Sequence, residues 1–377
     1  MESGDPMDFK VTPWEVEGEV DYDKLIKEFG TSPLTDTILN RIENITGEIH
    51  PFLRRKIFFS HRDFDWILDM YEKGIPFAIY TGRGPSGHTH LGHMMPWIFC
   101  SYLQKTFDAT MYFQITDDEK FMHRRDLSLE QTRTYAYDNA LDFIAQGFDP
   151  EKTFVFTDID YAKTLYSIAV KIAKNVTFST VKAVFGFKNS TNIGMIFFPA
   201  IQAAPCFLPS ELEKRKAPVV IPAAIDQDPY WRITRDVAEK LGYYKPAAIH
   251  NIFLPSLEGP SGKMSASLEE SAIFSVDTPQ DVKKKVMNAF TGGRETKEEQ
   301  QNLGGNPDVC TVYQYYYFMF EPRDDALLER KEACKSGEIL CGHCKKELAH
   351  RITAYLTEHQ KKREKARDML DQFLLKD

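Results

Sequence analysis

The sequence predicts an α/β chain: a domain built on a Rossmann-like parallel sheet with a helical insertion, followed by an α-helical C-terminal domain. Three observations carry that expectation. The apolar run Pro76-Phe77-Ala78-Ile79-Tyr80 reads as a buried strand, which passes through a glycine-rich stretch, Thr81 to His93, into an apolar helix over Met94 to Phe107. A second strand, Ala109 to Thr116, follows at the spacing of a parallel strand-helix-strand unit, whose ligands gather at the strand C-terminal ends. From about Thr278 the pattern changes to helical segments without convincing strands.

Composition narrows the class. A chain of 377 residues with 42% hydrophobic content is long enough for two soluble globular domains. No uninterrupted apolar run approaches membrane-spanning length, and Met1-Glu2-Ser3-Gly4-Asp5 is neither a secretory nor an arginine-rich transit start, so a cytoplasmic protein with no membrane partner is expected. Six scattered cysteines fit free thiols in a reducing compartment. The net charge of -8 argues against a protein coated in basic surface, although a local basic stripe still binds phosphate. The run Lys361-Lys362-Arg363-Glu364-Lys365-Ala366-Arg367 reads first as a solvated helix face with internal ion pairs.

In chain order, residues 1–55 form an N-terminal appendage, with a short extended piece at Val11 to Gly18 and helices at Asp21 to Phe29 and Leu39 to Ile45. The catalytic domain is expected over 56–277. It opens with a helix from Arg62 to Tyr71 that stops at Gly74. The strand, glycine loop, helix and second strand follow, and Gln114, Glu119 and Lys120 then fall near the glycine loop. Helices over Leu127 to Gly147, Tyr161 to Ala173 and Phe178 to Phe187, around a strand at Thr153 to Phe156, make the connective insertion, about 120–190. Next come the apolar stretch Phe197 to Pro205 with Gln202 in it, a strand at Ala217 to Pro222, and the turn Asp226-Gln227-Asp228-Pro229 capping a helix over Tyr230 to Leu241. The α-helical domain, 278–377, holds segments at Gln280 to Phe290, Cys310 to Phe320, Asp324 to Ser336 and Lys345 to Leu375.

The chemistry concentrates in two stretches. Glycines at a strand-to-helix turn let a ligand approach the backbone, and the N-terminus of the helix attracts anions, so Thr81 to His93 reads as a phosphate site. Far downstream, in a polar loop, stands Gly262-Lys263-Met264-Ser265-Ala266-Ser267. Together, His90-Leu91-Gly92-His93 and Lys263-Met264-Ser265-Ala266-Ser267 resemble the paired signature loops of class I aminoacyl-tRNA synthetases. Between Tyr80 and Ser267 the resemblance is to the tryptophanyl-tRNA synthetases of eukaryotic and archaeal type. It is carried by Tyr80 to Pro85, Gln114 to Lys120, Phe198 to Pro205 and Ala224 to Tyr230.

That resemblance implies activation of L-tryptophan with ATP to tryptophanyl-adenylate, then transfer to the 3′ end of tRNA(Trp). Tyr80 and Gln114 would meet the indole N–H, and Glu119, Gln202 and Gln227 would hold the ammonium of tryptophan. Gly82, Arg83, Gly84, His90, Gly92, His93 and Lys120 would bind ATP with Lys263, Met264 and Ser265. His90, His93, Lys263 and Ser265 are the expected catalytic groups, with Mg²⁺ accompanying ATP. The resemblance also implies a homodimer, and a helical C-terminal domain that holds an anticodon stem. Ala266 departs from the family pattern, which often has a second lysine there, so part of the loop charge must come from elsewhere, Lys120 or the N-terminal segment. Tyrosyl-tRNA synthetases share the fold and both loops, so only pocket residues discriminate. A catalytically inactive synthetase-derived binding protein and a smaller nucleotidyltransferase are the other readings; pyrophosphate exchange separates them. Cys341-Gly342-His343-Cys344, with Cys334 upstream, has the spacing of one zinc-binding pair, but no second pair is evident in the sequence, so free thiols and no structural zinc are expected.

Overall fold

The computed structural model describes residues 10–13, 16–17, 20–259, 264 and 269–377. Contacts cluster into two units, one taking in residues up to Lys24, Thr89–Met95 and Phe253–Lys361, the other Leu25–His88, Pro96–Ile252 and Lys362–Asp377.

The larger unit is built on a seven-stranded sheet. Its strands are β3 (Ser32–Pro33), β4 (Phe58–Arg62), β5 (Ala78–Arg83), β6 (Thr110–Ile115), β7 (Thr153–Thr157), β8 (Val219–Ala224) and β9 (Ala247–Asn251); β1 (Lys10–Val11) and β2 (Val16–Glu17) pair separately. The order is β3-β4-β9-β8-β5-β6-β7. β9, β8, β5, β6 and β7 run parallel, while β4 pairs antiparallel with β9 and β3 with β4. From β5 the chain winds outward through β6 and β7, then returns to lay β8 and β9 on the other side. The winding therefore reverses between β5 and β8, where parallel sheets of this kind open a crevice at their strand ends.

Both faces of the parallel strands are covered, so they read as apolar runs without alternation. Ile79, Phe113, Val155, Val220 and Ala248 are fully buried. The helix Leu91–Phe107 starts three residues before Met94, where the sequence pattern begins it, and supplies Trp97, whose ring meets Phe113 edge-on at 5.3 Å. Phe143, from the helix Leu129–Ile144, stacks on Phe113 at 3.7 Å. A capping box of Ser128 with Gln131 starts that helix.

Several expectations shift in detail. Arg62 ends strand β4, and the helix expected from Arg62 runs Phe64–Glu72. Within the N-terminal segment, Ser32 and Pro33 join the main sheet, and Leu25, Phe29, Ile38, Leu39 and Ile42 are buried. β9 and β4 were not visible in the sequence pattern. Phe197 to Pro205 belongs to a helix, Ile193–Ala203, that tolerates Pro199 and ends in a short 3-10 turn.

In the other unit, Pro279–Asn288, Lys297–Leu303, Thr311–Tyr315, Asp324–Lys335 and the start of Cys341–Phe373 are helical. Tyr316–Phe320 continues from Tyr315 as a π-helical turn. Thr278 with Asp281, and Thr296 with Glu299, form capping boxes that fix where two of these helices begin.

Candidate active site

Tyr80 and Gln114 sit on neighbouring parallel strands with Tyr80 opposite Tyr112 and Gly82 opposite Gln114. Residues two apart on a strand share a face, so both side chains emerge on one side of the sheet. Both are completely buried, and the Tyr80 hydroxyl donates to Gln114 Oε1. Gln202, near the end of the helix Ile193–Ala203, closes the group: its Nε2 donates to the Tyr80 oxygen at 3.1 Å, and its carbonyl lies 3.2 Å from that oxygen. Burial pushes the Tyr80 phenol well above its ordinary pKa, with Cys206 and Asp158 nearby adding to the shift, so it stays neutral. Three of the five residues expected for tryptophan thus form one hydrogen-bonded cluster.

A residue that the sequence reading missed completes it. Asp158, just beyond β7, accepts from Gln114 Nε2 at 2.7 Å and so fixes which end of that amide faces Tyr80. Burial raises the Asp158 carboxyl well above the carboxylate range, and Asp118 beside it raises it further; Asp118 itself, also desolvated, moves up to about 6. Trp231, also missed, turns its ring edge-on to Tyr80 at 5.7 Å, and its buried Nε1 has no hydrogen-bond partner among the described residues. A lone acid after a strand looks like a turn residue, which is why Asp158 escaped notice.

Glu119 and Lys120 follow β6 in the helix Asp117–His123, paired at 3.0 Å. Lys120 lies over the glycine loop: a Cβ at Gly84 would fall 2.1 Å from Lys120 Cε. Gly82 has a different reason for its size, since a Cβ there would stand 3.0 Å from the Gln114 carbonyl oxygen on β6. Arg83 ends β5, with buried Nε and Nη2 that no described residue satisfies. Burial lowers its pKa to about 10 against the pull of Glu119 and Asp142, so it remains a cation at neutral pH, under-partnered and suited to an anion. Glu119 and Asp226 both act on the buried Tyr230 hydroxyl, whose pKa is raised first by desolvation. Gln227 is half-buried in the turn Ile225–Gln227 after β8, on the far side of the switch point from Tyr80.

Asp226 to Pro229 does not act as the expected helix cap, because Gln227 makes no side-chain cap bond and Asp228 is engaged elsewhere. Arg62 grips Asp228 with two bonds of 2.6 and 2.7 Å, and His250 approaches it at 3.4 Å while bonding Ser60 at 3.0 Å. Serine, histidine and aspartate in a row suggest a nucleophile, yet all three are fully buried, and the aspartate is committed to an arginine. This group is a structural tie between β4, β9 and the helix after β8.

His90 and His93 belong to the other unit. Their rings stack at 3.5 Å, and the His90 backbone N–H donates to His93 Nδ1 at 3.2 Å, which leaves the His93 proton on Nε2. Gly92 leaves room for this stack, since a Cβ there would press on the His90 ring at 3.1 Å. His90 bridges to Phe274, with Leu91 N–H bonded to Ile273 and Ser275 N–H to Thr89. Met264 is buried against the same turn, 3.7 Å from a Cβ at Gly92, and its N–H bonds Leu254 at 3.0 Å. The two signature stretches therefore meet at Gly92 and Met264. Lys263 and Ser265 lie outside the described residues.

The chain is similar to known proteins over most of its length. The family described as class I tRNA synthetases for tryptophan and tyrosine matches residues 72–357. The chain is 54% identical over 368 residues to a tryptophan–tRNA ligase of Pyrococcus furiosus, covering 97% of this chain and 94% of the relative. It is 51% identical to one of Pyrobaculum aerophilum, with 98% of each covered. Among solved structures, a tryptophanyl-tRNA synthetase from Giardia lamblia superposes with TM-score 0.88 at 39% identity, covering 94% of this chain and 96% of that one. One from Encephalitozoon cuniculi, bound to tryptophan, gives 0.86 at 35%, covering 96% and 99%.

Proposed function

The chain belongs to the class I tRNA synthetases for tryptophan and tyrosine, among the tryptophan–tRNA ligases of archaeal and eukaryotic type, and from that premise we propose how its residues divide the work. The enzyme activates L-tryptophan with ATP, giving tryptophanyl-adenylate and pyrophosphate, and transfers the tryptophanyl group to the 3′ end of tRNA(Trp). The identity of these relatives favours that reaction over tyrosine activation and over a non-catalytic protein.

The observation that carries the pocket assignment is the buried chain Gln202, Tyr80, Gln114, Asp158. Indole offers one donor and no acceptor. The Tyr80 oxygen and the Gln114 carbonyl each have a lone pair beyond the bond they already accept, so one of them can take that donor, and phenylalanine forgoes this bond at a cost of about 1–3 kcal/mol. Tryptophan is the largest natural side chain, so exclusion by size is not available and hydrogen bonding supplies the selectivity. Glu119 and Gln227 take the ammonium with Gln202, a role supported by the burial of Glu119 and the site of Gln227 beside the switch point.

In the first step the tryptophan carboxylate attacks the α-phosphorus in line. No protein nucleophile is required, and catalysis is positioning with stabilisation of phosphate charge. Arg83, an under-partnered buried cation, and Lys120 above Gly84 bind phosphate oxygens beside the backbone of Gly82 and Gly84. His90, Gly92 and His93 bind on the ATP side, His93 through its Nε2–H. By the family resemblance Lys263 and Ser265 neutralise the leaving pyrophosphate; between them Met264 is buried and its N–H bonds the Leu254 carbonyl. Mg²⁺ would accompany ATP as part of the substrate and lessen the charge on its phosphates. Residues 278–377 receive the anticodon stem, the working form is a homodimer, and the setting is cytoplasmic; among the described residues no helix is long and apolar enough to cross a membrane.

Amino-acid-dependent ATP–pyrophosphate exchange tests the proposal, with tryptophan and tyrosine in parallel. Gln114→Leu is expected to lower kcat/KM for tryptophan by about 10- to 100-fold, and Lys263→Ala to lower kcat. Unchanged tryptophan kinetics in Gln114→Leu would overturn the pocket assignment.

A further inference from the structure

Four of the six cysteines line one cavity in the helical C-terminal region. Cys310 precedes the helix Thr311–Tyr315, Cys334 stands in the last turn of Asp324–Lys335, and Cys341 and Cys344 occupy the first turn of Cys341–Phe373. All four are unpaired thiols. The cavity is small, about 20 Å³. The second cysteine pair, which the spacing of Cys341 and Cys344 alone did not reveal, is supplied by the fold.

Burial disfavours the thiolate at Cys310, Cys334 and Cys344, and polar groups placed around the sulfurs offset part of that cost. Backbone N–H groups of Gly292, Val312 and Tyr313 are directed at the Cys310 sulfur, and that of Gly305 at the Cys334 sulfur. Glycine makes this approach possible: a Cβ at Gly293 would stand 2.5 Å from Cys341 Sγ, and one at Gly305 3.1 Å from Cys334 Sγ. Cations are also at hand. Arg330 Nη1 lies 3.6 Å from Cys344 Sγ, while its Nη2 holds Glu347, and Lys345 is close enough to Cys310 and Cys341 to interact with both. Four thiolates around a divalent ion leave a net negative centre, which these cations offset. Simple packing explains one buried thiol against apolar neighbours, but not four around one space with amide donors and Arg330 beside them, while the Lys345 ammonium is held nearby by the Met287 carbonyl at 2.9 Å.

We infer that Cys310, Cys334, Cys341 and Cys344 form a four-thiolate site for a soft metal centre, a Zn²⁺ ion or an iron–sulfur cluster, which ties the start of the helix Cys341–Phe373 to the two segments before it. Tetrahedral sulfur ligation selects these two centres among biological metals. Among the described residues no three His, Cys, Asp or Glu side chains stand at the spacing of a closed metal site. The sulfurs stand on the cavity wall, and rotation about each Cα–Cβ bond, the one rotor of a cysteine, swings them inward. The site lies outside the adenylate-forming machinery and does not rest on the assignments made there.

The test uses the full chain, purified without oxygen. Metal and acid-labile sulfide are measured, the metal is chelated, and the reduced protein is titrated with Co²⁺. One Co²⁺ per chain with thiolate charge-transfer and tetrahedral d–d bands is expected. Cys334→Ser and Cys341→Ser should weaken it by more than the roughly 10- to 100-fold typical of lost outer-shell partners, and His343→Ala, an exposed neighbour, should leave it unchanged. Zinc without sulfide as isolated identifies an ion, and iron with matching sulfide a cluster; either supports the site. A wild-type chain with four reactive thiols that holds no metal and binds no Co²⁺ overturns it, as does a disulfide among these cysteines in the fresh isolate.

Discussion

Asp158 sits in no recognisable motif, yet it decides how the buried Gln114 amide points. Burial and Asp118 hold its carboxyl well above the usual range, which favours the neutral acid, and an amide oxygen in its place can accept the same bond from Gln114. Asp158→Asn is therefore expected to keep near-normal tryptophan kinetics, whereas Asp158→Ala frees the amide and raises KM, lowering kcat/KM by roughly 5- to 30-fold. Equal losses in both variants would assign the residue to packing instead. Tyr80, Gln114 and Gln202 were named through the family resemblance of the stretches that hold them, and the fold brings the three into one hydrogen-bonded cluster. Asp158 and Trp231 were not, since their roles depend on which strands neighbour each other, and β7 beside β6 is a fact of the sheet, not of local spacing.

Among the elements, helices were the easiest to find, because their apolar period and caps are local. β4 and β9 were missed for opposite reasons. Phe58 to Arg62 runs directly into a helical pattern, and Ala247-Ala248-Ile249-His250-Asn251 is poor in the β-branched and aromatic residues that mark strands, being held in place by burial between its neighbours. Helix ends carry their own constraint at Gly304, which closes Lys297–Leu303 with φ +67° and ψ 174°. A Cβ there would fall 1.7 Å from the Lys335 carbonyl oxygen, so both conformation and space require glycine. Gly304→Ala should cost roughly 2–4 kcal/mol in denaturant unfolding, while Gly342→Ala, with open space around its Cβ, should not destabilise. An unchanged midpoint for Gly304→Ala would contradict the close approach of these segments.

At the scale of the whole molecule, Asp228 joins β4, β9 and the helix after β8 through Arg62 and His250. Burial alone would raise its carboxyl, but Arg62 and His250 outweigh that and hold it down at about 2. Unfolded, the group protonates near 4, so between about pH 4 and 2 the unfolded chain binds the extra proton, and the stabilisation present above pH 4 fades as pH falls. The contribution is on the order of 2 kcal/mol. The stability gap between wild type and Asp228→Asn should narrow by about that amount from pH 5 to pH 2; a constant gap would show that the ion pair does not act through its charge. The sheet that this tie braces is bordered at one side by Ser32–Pro33, whose proline has no N–H to offer, and at the other by Leu374 and Leu375, bridged and bonded to Val155. On a ribosome, the exposed rim of β7 stays without its cover until residues 374–377 have been added, long after every strand has emerged. A polypeptide stalled short of that point keeps an open edge on which another nascent copy can pair.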